Sequence, residues 1–145
     1  MKSDIEQKAK ELLKSAKLRR TGPRIGILSA LLGAGRPLTQ DQIALSLGLA
    51  APNKVTIYRT LESLLSAGLV HKAFLQERTW HFELAGNCTE SQCHPHFTCT
   101  NCGDTHCLTE VALPMAKSLH QGFVIEHQRV QLEGLCPDCS GRKPM

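Results

Sequence analysis

The residues best able to do chemistry crowd into positions 88–107. Cys88, Cys93, Cys99, Cys102 and Cys107, with His94, His96 and His106, fall in this stretch, out of seven cysteines and seven histidines in 145 residues. Thiolate and imidazole are the donors zinc favours. Cys99-x-x-Cys102-Gly103 and Cys136-Pro137-x-Cys139 are two Cys-x-x-Cys turns. Both sulfurs of such a turn reach one ion, and two turns complete a tetrahedral four-sulfur shell with no open position. Structural zinc held by Cys99, Cys102, Cys136 and Cys139 is therefore expected. A thiol–disulfide redox pair is the competing reading.

His94-Pro95-His96 is a second signal. Alternate residues of an extended segment share a face, so both imidazoles can grip one ion. Cys88 and Cys93 lie just upstream and Cys107 downstream, while His71 and Glu83 sit on two expected strands nearer the N-terminus. A regulatory site with ligands from both halves of the chain would lock the angle between them. The plain alternative is a pair of polar surface histidines.

The elements that must position these residues follow from periodicity. Ser3 or Asp4 is expected to cap a first helix with Ile5, Ala9, Leu12, Leu13 and Ala16 on a narrow apolar face, packing loosely. Thr21-Gly22-Pro23 ends it and opens a second helix with Ile25, Ile27, Leu28, Leu31 and Leu32 inward. Thr39 and Gln42 match a capping box before a third helix. A fourth runs from about Asn53 to Ala67 with Val55, Ile57, Leu61, Leu64 and Leu65 as its apolar side. Alternating residues 69–74 and 79–84 flank a polar turn at Gln76-Glu77-Arg78, a β-hairpin pattern. Two helices, a short turn and a hairpin read as a winged helix-turn-helix. Beyond a hinge at Ala85-Gly86-Asn87, short strands at 97–99 and 105–108, a helix from Pro114 to about Gly122, and a strand within 124–135 with Val130, Leu132 and Ile125 inward lead to Cys136. The tail 140–145 is expected to be disordered.

The net charge of +4 is mild, but Lys14, Lys17, Arg19, Arg20 and Arg24 crowd one window, and Lys54 and Arg59 follow in the same half. Such a basic face suits a polyanion, or is simply solvated. On the fourth helix Thr56, Tyr58 and Arg59 stand early, where Tyr58 can meet a thymine methyl or phosphate and Arg59 a phosphate or base edge. Hydrophobic content of 41% with 21% charged residues fits a folded chain rather than a disordered one. A charged, amphipathic N-terminus without an apolar core gives no sign of a signal peptide, and no apolar run reaches membrane-spanning length. A cytoplasmic protein with reduced thiols is expected, which favours metal over disulfides.

Together these motifs resemble the Fur family of metal-responsive repressors. The resemblance is carried by Arg20-Thr21-Gly22-Pro23-Arg24, Val55-Thr56-Ile57-Tyr58-Arg59-Thr60-Leu61, Gly68-Leu69-Val70, Phe82-Glu83-Leu84, His94-x-His96-x-x-Cys99-x-x-Cys102-Gly103 and Gly134-Leu135-Cys136-Pro137-x-Cys139. It implies an α+β chain: an N-terminal winged helix-turn-helix domain (1–84), a hinge (85–87), and a small α/β dimerisation domain (88–145) stapled by the four-cysteine zinc site. It also implies a homodimer that binds an AT-rich palindromic operator in double-stranded DNA when its regulatory metal is bound. Arg19, Arg24, Lys54 and Arg59 would contact phosphates. Glu83, His94 and His96 match the family's regulatory site.

Some positions depart from the family pattern. Arg36-Pro37-Leu38 lacks a histidine that iron and peroxide sensors carry before the third helix. Cys107 stands where those sensors carry a carboxylate, and His71 where zinc sensors place a ligand. Cys93 and Pro95 replace ligands of a further family site, and His127 is one residue out of its register. Softer sulfur donors favour zinc over ferrous iron. The expected function is zinc-dependent repression of metal-uptake genes, as in the Zur subgroup, with Zn2+ at the regulatory site and Fe2+ or Mn2+ as alternatives. Iron or peroxide sensing is the second reading. A thiol oxidoreductase, a zinc hydrolase or a zinc-ribbon interaction module is a third; no thioredoxin-like βαβ pattern or HExxH motif supports an enzyme acting on a small organic substrate.

Overall fold

Helix starts in the first half are written in capping residues. Thr21 accepts a hydrogen bond from the Arg24 amide at 3.4 Å, and Asn53 accepts one from the Thr56 amide at 2.8 Å. Thr39 and Gln42 form a reciprocal capping box: the Gln42 amide donates to Thr39 Oγ1 at 3.1 Å and the Thr39 amide to Gln42 Oε1 at 2.9 Å. Each such cap contributes about 1 kcal/mol. They fix the starts of α2 (Gly22–Ala34), α4 (Lys54–Ser66) and α3 (Gln40–Leu47). In this computed structural model the described residues are 2–85, 94–108, 113–114, 116 and 122–141.

The chain divides into two units, Met1–Gly86 and Asn87–Met145. In the first, α2 packs against α1 (Lys2–Ser15), α3 and α4. Ala9, Leu13, Ile27, Leu28, Leu31, Ile43, Ile57, Leu61 and Leu64 form its buried core. A 3-10 turn, Gly48–Ala50, separates α3 from α4. The wing is β2 (Val70–Gln76) and β3 (Thr79–Leu84), joined by Glu77 and Arg78 and pairing antiparallel. A two-residue strand, β1 (Leu38–Thr39), adds to the free edge of β3, giving the order β1-β3-β2.

The second unit holds a sheet of order β5-β4-β6. In it β4 (His96–Cys99) lies between antiparallel β5 (Thr105–Cys107) and parallel β6 (Gln131–Gly134). A short helix, α5 (Pro137–Ser140), follows. An α+β chain with a helix-turn-helix and wing in one unit and a small mixed sheet in the other is the architecture expected from the sequence.

Several expectations differ in detail. The first helix already runs from Lys2, so Ser3 and Asp4 lie in its first turn rather than capping it. Its packing is tight, because Ala9 and Leu13 are fully buried. Val55 is 56% exposed: it sits on the first turn of α4, on the outward face with Tyr58 at i+3. The strand expected within 124–135 shrinks to Gln131–Gly134, and Ile125 and Leu132 are exposed at 39% and 41%. β6 is an edge strand, and no described element of its unit covers that face. Ser140, expected in a disordered tail, instead ends α5, held by its amide donating to the Cys136 carbonyl at 2.8 Å. Most of the helix expected from Pro114, the hinge positions Gly86 and Asn87, the remaining tail residues 142–145, Cys88 and Cys93 lie outside the described residues.

Candidate metal centres and nucleic-acid interface

Two turns deliver the four sulfurs. Cys99 ends β4, and Gly103, with φ of 79°, lets the chain reverse directly after Cys102. Cys136 immediately precedes α5 and Cys139 lies within it. Parallel pairing of β4 with β6, Cys99 opposite Gly134, brings the second turn beside the first. All four Sγ atoms lie within 4.8 Å of one another, and Cys102 and Cys136 are 3.9 Å apart. A tetrahedron with Zn–S bonds of about 2.3 Å has edges of about 3.8 Å, so the spacing fits a closed four-thiolate zinc site.

The electrostatics point the same way. Backbone N–H groups of Cys102 and Cys136, each 3.5 Å from Cys99 Sγ, aim at that sulfur. They lower the Cys99 pKa to about 6. At Cys102 the backbone N–H of Asp104 favours the thiolate, but interaction with Cys99, burial, Cys136 and Cys139 together outweigh it and push the thiol up to about 12. Cys139 is also pushed up: Asn101, donating from Nδ2 at 3.3 Å, favours its thiolate, and Cys136 and Cys99 outweigh that. The backbone thus favours the thiolate at Cys99, while the closeness of the other sulfurs disfavours it at Cys102 and Cys139. Four thiols gathered in this way are a donor set that fits zinc.

A second ligand group uses the other end of β4. His94 and His96 flank Pro95, with ring centroids 4.7 Å apart, and His96 is 1% exposed. Cys107 lies directly opposite His96 in the β4–β5 register, and the Leu108 amide closes the ladder onto the Pro95 carbonyl at 2.9 Å. Donor atoms of His94, His96 and Cys107 all lie within 4.8 Å of one another. Among the described residues of this unit the group thus offers three donors of mixed softness. In the first unit, Glu83 and His71 face each other across the wing, Nε2 to Oε1 at 2.6 Å, with Glu83 7% exposed. Cys88 lies outside the described residues.

The basic residues expected to meet DNA fall into two places on the first unit. A groove of about 450 Å³ is lined by Arg19, Thr21, Arg24, Thr56, Arg59, Thr60 and Ser63. Arg24 braces its floor, donating to the Arg19 carbonyl at 3.0 Å and to Ser63 Oγ at 3.1 Å. Lys54 instead lines a hollow with Asp41, Ala44, Leu45 and Gly48. Tyr58 is 57% exposed on the outer face of α4. Thr21, Thr60 and Ser63 escaped sequence reasoning, although the spacing of 56, 60 and 63 marks one helical face.

Comparison with known proteins agrees with this architecture. The family model described as "Ferric uptake regulator family" matches residues 15–133. The transcriptional regulator FurA of Mycobacterium tuberculosis is 32% identical over 136 residues, covering 90% of this chain and 88% of the relative. The peroxide operon regulator of Bacillus subtilis is 27% identical, covering 94% of each. Among solved structures, a zinc uptake regulator complexed with zinc and DNA superposes with a TM-score of 0.66 at 20% identity, covering 97% of this chain and 96% of that one. The ferric uptake regulator of Helicobacter pylori, described with three functional metal-binding sites, superposes with a TM-score of 0.60 at 17% identity, covering 97% and 94%. At these identities the structural likenesses speak to the fold.

Proposed function

The chain belongs to the ferric uptake regulator family, and on that premise we propose that it is a zinc-dependent repressor of metal-uptake genes. The family consists of metal-responsive, DNA-binding transcription regulators rather than enzymes, and the chain is one of them. The finer reading rests on Cys107. A thiolate beside His94 and His96 makes the regulatory ligand set softer than carboxylate and imidazole, and soft sets favour zinc over ferrous iron. The buried carboxylate of Glu83, held by His71, is the fourth ligand we assign, with Cys88 as the alternative.

The mechanism is population shift. Ligands supplied by both halves are joined by one ion, which favours one relative arrangement of the two halves. In a homodimer that arrangement sets the separation of two α4 helices to match two operator half-sites. Apolar residues exposed on the second unit, Phe123, Val124, Ile125, Leu132 and Leu135, support burial against a second copy. Arg19, Arg24, Lys54 and Arg59 would hold phosphates, while Thr56 and Tyr58 meet base edges of an AT-rich palindrome. No helix among the described residues is long and apolar enough to cross a membrane. A cytoplasmic site of action fits such a regulator.

Iron or peroxide sensing is the second reading, favoured by the names of the sequence relatives. DNA binding titrated in parallel with buffered zinc, ferrous iron and manganese separates the two. Zinc is expected to drive binding at the lowest free concentration of its own physiological range. Binding driven by ferrous iron and not by zinc would replace the zinc reading.

A further inference from the structure

The first helix ends in a way that its sequence does not favour. The Leu18 amide donates to the Leu13 carbonyl at 2.9 Å, and the Lys17 amide to the Lys14 carbonyl at 3.1 Å. These paired bonds define a Schellman motif, in which the residue after the helix adopts a left-handed backbone. Leu18 supplies the usual apolar contact, packing on the core that contains Leu13. The left-handed residue is Lys17, with φ of 59°.

A side chain strains this conformation, because Cβ crowds the backbone carbonyl, and glycine is the residue that avoids it. The same chain solves the same problem conventionally one helix later, where α2 ends on Gly35 with φ of 61°. Glu77 and Arg78 are the other described non-glycine residues with positive φ, and they form the wing turn. Lys17 thus keeps a destabilising backbone at an exposed position where its side chain contributes nothing to the core. The cap needs a left-handed residue but not a lysine, and a side chain kept where glycine would relieve the strain points to a function for that side chain.

The surroundings indicate which function. Two residues on, Arg19 lines the basic groove. Its carbonyl is held by both Arg24 Nη1 and the Thr21 amide, each at 3.0 Å, and Arg24 Nη2 reaches Ser63 on α4. The segment 17–21 is therefore fixed at one end by the helix cap and at the other by the brace onto α4. A backbone so fixed adds no ordering cost of its own when the Lys17 side chain docks. We propose that Lys17 is a DNA phosphate contact, displayed by its strained cap two residues before Arg19, which lines the basic groove. The proposal rests on the DNA-binding reading given above and extends it to the cap of the first helix, a residue that reading did not assign.

Lys17→Gly tests it, because backbone strain and DNA affinity then fall together. Binding of the full-length zinc-loaded protein to an AT-rich palindromic duplex and to a scrambled duplex is measured across a salt series, alongside thermal melting. Lys17→Gly is expected to melt higher, by ~4 °C. It should bind both duplexes more weakly, and the slope of log K against log salt should become shallower by ~0.9 for each phosphate no longer neutralised. Lys17→Arg should keep the wild-type slope. Unchanged affinity and slope in Lys17→Gly, with the wild type binding, would overturn the phosphate role alone. A lower melting temperature in Lys17→Gly would overturn the strain argument on which it stands. A wild type that binds neither duplex would overturn the phosphate role and the DNA reading together.

Discussion

The two ligand groups of the second unit hang from one four-residue strand and are built on opposite plans. Cys99 ends β4 in a shell of four sulfurs, all supplied by two local turns. His96 begins the same strand in a group of imidazole and thiolate with three donors from this unit. A complete shell holds its own segment together whatever the rest of the molecule does. On the regulator reading proposed above, the second group would take a further ligand from outside the unit, and its occupancy would then be coupled to arrangement. The first plan suits a staple and the second a sensor. With both on one strand, a staple at Cys99 would also fix the position of a sensor built on His96.

The contrast breaks most visibly at Cys136. Its thiol is buried, and its amide also supports the Cys99 thiolate. Cys136→Ser removes a ligand from the closed shell. Apparent zinc-binding free energies at such sites reach ~10–16 kcal/mol, much of it free energy of folding. The variant is expected to lose one zinc per chain and the ordered β4–β6 sheet, while the first unit, with its own core, keeps its helical signal. Metal analysis and amide-resolved NMR check this. An unchanged sheet in the zinc-free variant would mean that the cluster is no staple.

His96→Ala should behave otherwise. One zinc is lost, but the four-cysteine shell and the sheet remain. DNA affinity in the presence of zinc is expected to fall by ~1–3 kcal/mol, the usual size of a coupling between sites. Zinc-dependent DNA binding equal to wild type would remove His96 from the sensor and erase the distinction between the two groups.

The same contrast explains what the sequence disclosed. The staple was legible because each Cys-x-x-Cys turn is local, and only one long-range pairing joins the two. The caps at Thr21, Thr39 and Asn53 were legible for the same reason. Cys107 was one thiol among three until the β4–β5 register set it opposite His96. β1 was missed because two residues carry no periodicity, and its pairing with β3 is a tertiary event. Val55 was misplaced because helical period alone cannot say where a helix outruns its core. Lys17 carried no sequence signal beyond its charge. Only the backbone reveals that a glycine would fit better there.

Cys107→Asp sharpens the sensor side alone. Exchanging thiolate for carboxylate hardens the ligand set and restores the donor that iron and peroxide sensors of the family carry. The ratio of zinc to ferrous-iron affinity at this site is expected to fall at least ~10-fold, about 1.4 kcal/mol. Competition with a chromophoric chelator under anaerobic conditions measures it, with the staple loaded throughout. An unchanged ratio would detach metal choice from Cys107.

The smallest expected effect lies on the staple side, at Asn101. Its amide donates to Cys139 Sγ at 3.3 Å and is the largest single influence favouring that thiolate. Asn101→Ala removes it, so the Cys139 thiol pKa rises further and protons compete better for the sulfur. Zinc should then be released at a higher pH than in the wild type. Because Asn101 is exposed, the effect of the missing hydrogen bond is small. The staple's zinc is expected to pass to a competing chelator only modestly faster than in the wild type. Transfer from the His96 group should not change, because Asn101 belongs to the Cys99–Cys102 turn and supplies no donor to that group. A matching acceleration at both would mean that the two groups of β4 share one ligand network and are not separable devices.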